Sequence, residues 1–65
     1  MTTSTDAITL LRDFENAAYN YTQAVNGEIR GLKTHEKDFR RASKKLLKEL
    51  LGRSPTKEEV EKVMN

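Results

Sequence analysis

His35 is the only histidine of the chain, and beside Glu36 it is the one imidazole that could serve as a base or a metal ligand. Neither role finds company. A protein metal site draws on three or four side chains, most often His and Cys, and there is no cysteine and no second histidine. Asp13 and Glu15 lie two positions apart, so on a helix they do not face one another and make a poor carboxylate dyad. Ser43 has no histidine at helical spacing to accept its proton. Gly27, Gly31 and Gly52 are too scattered to form a phosphate-cradling loop. The residues therefore read as a non-enzymatic chain with no catalytic group, no cofactor and no metal.

Binding chemistry is better represented. Lys37, Arg41, Lys44 and Lys48 recur at i, i+4, i+7 and i+11, with Arg40 and Lys45 alongside. On a helix these form a cationic ridge about 16 Å long. Such a row can meet the phosphates of a nucleic-acid backbone, in which case binding falls steeply with salt. A lysine-rich solvated face has the same composition, and Asp38 and Glu49 dilute one flank. No aromatic residue interleaves the ridge for base stacking. A second surface runs along Arg12, Asn16, Tyr19 and Gln23, again at i, i+4, i+7 and i+11. It is polar but almost uncharged, and its tyrosine stands off the apolar stripe. Tyr and Asn give contact area with adaptable hydrogen bonds, which suits a protein partner.

Helices must carry both surfaces. Leu11, Phe14, Ala18, Tyr21 and Val25 follow the 3.6-residue period, with Leu10 and Ala17 beside them, so a first helix is expected over Asp6–Val25. Hydroxyls at Thr3–Thr5 can cap it, and Asp6 suits the positive end of its dipole. Asn26-Gly27 and Gly31 are possible stops. Ile29 and Leu32 continue the stripe, however, which favours a last turn persisting to about Arg30. In the second helix Phe39, Ala42, Leu46, Leu47, Leu50 and Leu51 gather roughly 150° from the cationic ridge. Thr34 is the expected N-cap, with Glu36 and Asp38 in the first turns, and Gly52 the expected C-terminal stop.

Thr56 and Glu59 then have capping-box spacing, which starts a short third helix over 57–64. The junction Leu51-Gly52-Arg53-Ser54-Pro55-Thr56-Lys57-Glu58-Glu59-Val60 resembles the "LGR-x-PT-x-EE-(I/V)" junction in region 3 of bacterial primary-type sigma factors. There too a basic helix runs into a Gly-Arg turn and a helix capped by Pro-Thr. The resemblance covers about ten residues, and residues 1–33 do not extend it. It implies a link to transcription. It carries over no DNA-contacting residue, since no matching recognition helix is read after Met64.

The 65 residues make one small helical domain over 1–65, with 35% hydrophobic residues, five of which are alanine. A chain of this size buries only about 60% of its unfolded surface, so its core is small and self-association to a dimer is expected. The net charge of +2 hides a division. One arginine faces four carboxylates in residues 1–29 (−3), and eleven Lys/Arg face six carboxylates in residues 30–65 (+5). No apolar run approaches the ~18 residues of a membrane span, and the N-terminus lacks the basic and apolar regions of a signal peptide. A cytoplasmic location is the expectation. Membrane-surface binding by the second helix is disfavoured because its leucines are needed in the core.

One rival architecture shares the same letters. Positions 11, 18, 25, 32, 39 and 46 are Leu, Ala, Val, Leu, Phe and Leu, an unbroken seven-residue series that could be one column of a continuous coiled coil. Its companion column contains Glu28, His35 and Glu49, and two glycines interrupt the same stretch. The expected fold is therefore all-α: an antiparallel hairpin closed by the short C-terminal helix. Its expected core is Leu11, Phe14, Ala18, Tyr21, Val25, Phe39, Ala42, Leu46, Leu47, Leu50, Val60 and Val63. The expected function is an interaction module that docks on a protein partner, or, alternatively, a nucleic-acid-binding protein that uses the basic face of residues 37–48.

Overall fold

The computed structural model describes residues 4–65, with side-chain surroundings from Ala7 onward. Helix α1 spans Ser4–Val25, α2 spans Leu32–Leu51 and α3 spans Lys57–Met64. The cap expected at Thr3–Thr5 and the role given to Asp6 fall on side chains outside the described residues. Helices α1 and α2 pack as the main pair, and α3 packs on α2. The chain folds back between the two long helices, which excludes the continuous rod.

The reversal is built from two left-handed glycines. Helix α1 stops at Val25 rather than running to Arg30, because Gly27 adopts φ 79°. The Glu28 N–H then donates to the Gln23 carbonyl at 2.9 Å, and the Gly27 N–H to the Ala24 carbonyl at 3.1 Å. That double bond pattern is the Schellman ending, and it satisfies carbonyls the helix itself leaves free. Helix α2 begins earlier than expected. Gly31, at φ 88°, holds the cap position, and its carbonyl accepts from the His35 N–H at 2.9 Å. Thr34 is thus the third residue of α2 and not its cap, and Glu36 and Asp38 lie beyond the first turn. The sharp entry into α2 demands a left-handed residue, which outweighs the usual advantage of a hydroxyl cap.

Phe39 organises the interior. It is 5% exposed, and its ring lies 5.4 Å from those of both Phe14 and Tyr21, tilted by 45° and 37°. Phe14 and Tyr21 are seven residues apart on one face of α1, so the Phe39 ring seats between them. To bring this about, α1 turns its small residues toward α2. Ala24 is 7% exposed, and Leu10, Ala17 and Tyr21 are half-buried along the same stripe. Leu11 and Val25, expected in the core, stay 47% and 55% exposed. The alanines let the helices approach, whereas branched side chains at that contact would hold them apart. Leu50 is 70% exposed because it lies in the last turn of α2, near the first turns of α1. Of the other expected core residues, Val60 is fully buried, while Ala18, Ala42, Leu46, Leu47 and Val63 are half-buried.

Helix α3 turns back along α2. Val60 and Lys57 lie beside Arg40 and Lys44. Glu61, Met64 and Asn65 lie beside Glu36, Arg40 and Tyr21. No helix is long and apolar enough to cross a membrane among the described residues.

Candidate interaction surfaces

The junction between α2 and α3 is the most tightly fastened part of the surface. Gly52, at φ 72°, ends α2 and donates its N–H to the Lys48 carbonyl at 3.0 Å. Arg53 then reaches across the turn and grips Glu59 with two parallel bonds, Nη1 to Oε1 at 3.0 Å and Nη2 to Oε2 at 2.7 Å. The same guanidinium donates to the Ser54 carbonyl at 3.1 Å. Glu59 meanwhile accepts from the Thr56 N–H at 2.8 Å, and the Thr56 hydroxyl accepts from the Glu59 N–H at 3.2 Å, completing the capping box. The hydrogen bonds from Arg53, followed by the one from the Thr56 N–H, lower the Glu59 pKa from 4.5 to about 2. In return the hydrogen bond from Glu59, with its charge, raises the Arg53 pKa.

The basic residues stand around this fixed turn. Arg40, Lys44 and Lys57 line a cleft of about 510 Å³ with Pro55 and Val60. Lys44, Lys45 and Lys48 line a neighbouring one of about 340 Å³ with Ser54 and Pro55. Neither lining contains a carboxylate. The nearest acid across the turn, Glu59, is occupied by Arg53, the one ion pair among the described residues. Lys37, Arg41, Lys44, Lys45 and Lys48 are exposed and Arg40 is half-buried, so the ridge expected on α2 is accessible. Lys57 was not among the residues read as part of it. It joins because α3 folds back on α2, a tertiary event, although the Pro55–Thr56 start signal already placed Lys57 at the head of a helix. Three members are divided, since further clefts set Arg40 with Glu36 and Glu61, and Lys45 and Lys48 with Glu49.

The α1 surface faces elsewhere. Tyr19 is 65% exposed, Arg12 and Asn16 are exposed, and Gln23 is half-buried. Ile8, 56% exposed, lies three turns before Tyr19 on the same side of the helix. Ile8 was not among the residues read from the sequence, because it falls off the main apolar stripe of α1. At that exposure Tyr19 does not pack under α3.

The residues weighed for chemistry are dispersed. His35 is half-buried at the start of α2 and lies under the Gly31 turn, where a Cβ added to Gly31 would come within 3.7 Å of the imidazole Cδ2. Ser43 is wholly buried and its Oγ donates to the Phe39 carbonyl at 2.8 Å. That hydroxyl belongs to the interior of the bundle and has no base within reach. Among the described residues no three His, Cys, Asp or Glu side chains gather as metal ligands. No protein-family model, curated protein or solved structure matches the chain.

Proposed function

We propose that this chain is a non-enzymatic docking module whose α1 outer surface binds a protein partner. The exposure of Tyr19 carries the reading. A tyrosine that is 65% exposed, with Ile8 56% exposed on the same side, is an aromatic and aliphatic pair standing in water on a rigid helix. Arg12 and Asn16 add a polar margin. Aromatic anchors ringed by hydrogen-bonding side chains are the common composition of a protein interface centre. Affinity capture from the native host tests it. The wild-type chain retains a protein partner, and the double variant Tyr19→Ala, Asn16→Ala loses it while remaining helical. Capture of the same partners by that variant would remove the α1 surface from consideration.

A second reading has its own support. The two clefts around Pro55 bring Arg40, Lys44, Lys45, Lys48 and Lys57 together without a carboxylate in either lining. A nucleic-acid backbone is the natural ligand of such a group, and the sigma-factor-like junction at Leu51–Val60 favours a transcription-linked setting. Salt separates the two readings. Phosphate binding predicts retention on duplex DNA near roughly 50 mM salt and steep loss as salt rises. It also predicts loss in the charge-reversed pair Arg41→Glu, Lys44→Glu. No retention of the wild type at low salt rejects it. Both readings assign the chain to an aqueous, cytoplasmic setting.

A further inference from the structure

We infer that a nucleic-acid duplex seats a backbone phosphate in the cleft between α2 and α3, held by Lys44 from one helix and Lys57 from the other, rather than lying along the α2 ridge alone. This rests on the nucleic-acid reading and fixes where that contact falls. Two clefts adjoin at the α2–α3 turn, with Lys44 and Pro55 in the lining of both. Arg40, Lys57 and Val60 complete the first, and Lys45, Lys48 and Ser54 the second. Val60 is fully buried and Pro55 half-buried, so the floor of the first cleft is apolar and fixed, with Lys44 and Lys57 exposed beside it. The turn that carries Pro55 is held by the double bond from Arg53 to Glu59 and by the capping box, so the two helices keep their places without a ligand. On the open ridge the cations stand about a turn apart on a convex surface. In the cleft two cations from different helices line one hollow, so a single phosphate meets both.

Competition for charge selects these two lysines. Arg40 also borders Glu36 and Glu61, and Lys45 and Lys48 also border Glu49. A cation beside a carboxylate is partly neutralised within the protein and draws a phosphate less strongly. Lys44 has only Arg40, Arg41, Leu47 and Lys48 at three and four residues on either side, the helical neighbours that face it. Lys57 has Glu61 one turn on, but the two make no ion pair, and Lys before Glu is the weaker order for one. Glu59 turns its carboxylate to Arg53 and the Thr56 N–H. The linings also choose the form of nucleic acid. Neither holds an aromatic ring on which an unpaired base could stack, and neither holds an Asn or Gln to read a base edge. Cations and the Ser54 hydroxyl are phosphate partners, and a duplex keeps its bases stacked inside and offers its phosphates outward.

Fluorescence anisotropy of a labelled DNA duplex of about 20 base pairs, titrated with the full chain at several salt concentrations, tests the inference. Loss of one phosphate contact makes the slope of log affinity against log salt shallower by about 0.9. Lys57→Gln is expected to give that change. Lys62→Gln removes the same charge from the same helix at a position outside both clefts, and is expected to keep the wild-type slope. Both lysines are exposed, so circular dichroism is expected to show unaltered helix in either variant. If the chain binds the duplex and Lys57→Gln leaves the slope alone, the α2 ridge carries the contact and the inference is overturned while the nucleic-acid reading stands. An equal change in Lys62→Gln overturns it too, since net charge would then be the cause. Tighter binding of the single strand than of the duplex, or of polyglutamate at equal charge, assigns the cleft to another ligand. No binding of the duplex by the wild type rejects the reading and the inference together.

Discussion

At the scale of single residues, two side chains decide more than their size suggests. Ser43 is completely buried where α2 meets its neighbours, and its hydroxyl is satisfied by the Phe39 carbonyl. A larger side chain there would have no route to solvent. Ser43→Leu is expected to destabilise the fold by about 1–3 kcal/mol through overpacking, read as a lower urea midpoint by circular dichroism. Glu59 is the other. Arg53 and the Thr56 N–H stabilise its carboxylate, so its folded pKa is about 2 against an ordinary 4.5. A depressed carboxyl contributes stability that is present above the ordinary value and is lost as pH falls from there toward about 2. An NMR titration of the Glu59 side-chain carboxyl checks the sign. Its midpoint is expected near 2 in the wild type, and Arg53→Ala is expected to move it upward. An unmoved midpoint would mean that the guanidinium is not the main cause.

At the scale of elements, the ends of the helices were unequally legible in the sequence. The start of α3 could be read from four residues, because Thr56 and Glu59 satisfy each other's N–H groups without help from anything distant. The start of α2 could not, because two local rules compete there. Thr34 is the better cap by composition, but the reversal of the chain needs a residue at positive φ, and Gly31 supplies it. Substitutions weigh the two. Gly31→Ala is expected to cost about 1–2 kcal/mol, the penalty of a left-handed conformation in an L-residue. A Cβ there would meet His35 at an ordinary 3.7 Å, so the cost is in the backbone and not in crowding. Thr34→Ala, within an exposed helical turn, is expected to stay within about 0.5 kcal/mol of the wild type. Thermal unfolding of both variants distinguishes the caps, and a larger loss at Thr34 would restore it as the functional N-cap. The core stripe of α1 was legible only as a choice between two neighbours. Leu11–Ala18–Val25 and Leu10–Ala17–Ala24 are adjacent seven-residue lines, both apolar. Only the docking of Phe39 between Phe14 and Tyr21 determines that the second faces α2.

At the scale of the whole molecule, that same choice separates the surfaces. Because the alanine line faces α2, the bulkier line is left outside beside the aromatic cluster, while Tyr19 points to another side of α1 and the lysines to the far side of α2. The cationic group is likewise a product of the whole chain. Most of its members lie on one helix and were visible as a period, whereas Lys57 joins only through the return of α3 along α2. A core this small makes self-association the expected source of further burial, and where it occurs association and folding share one equilibrium. A ligand that binds only the folded state raises its stability with concentration, and here the ligand is the chain itself. The midpoint of thermal unfolding is then expected to rise steadily as chain concentration increases from about 1 to about 100 µM, across the micromolar range of Kd. A wild-type midpoint that holds constant over that range would mean that the three helices are stable alone, with Leu11, Val25, Leu32 and Leu50 left in water.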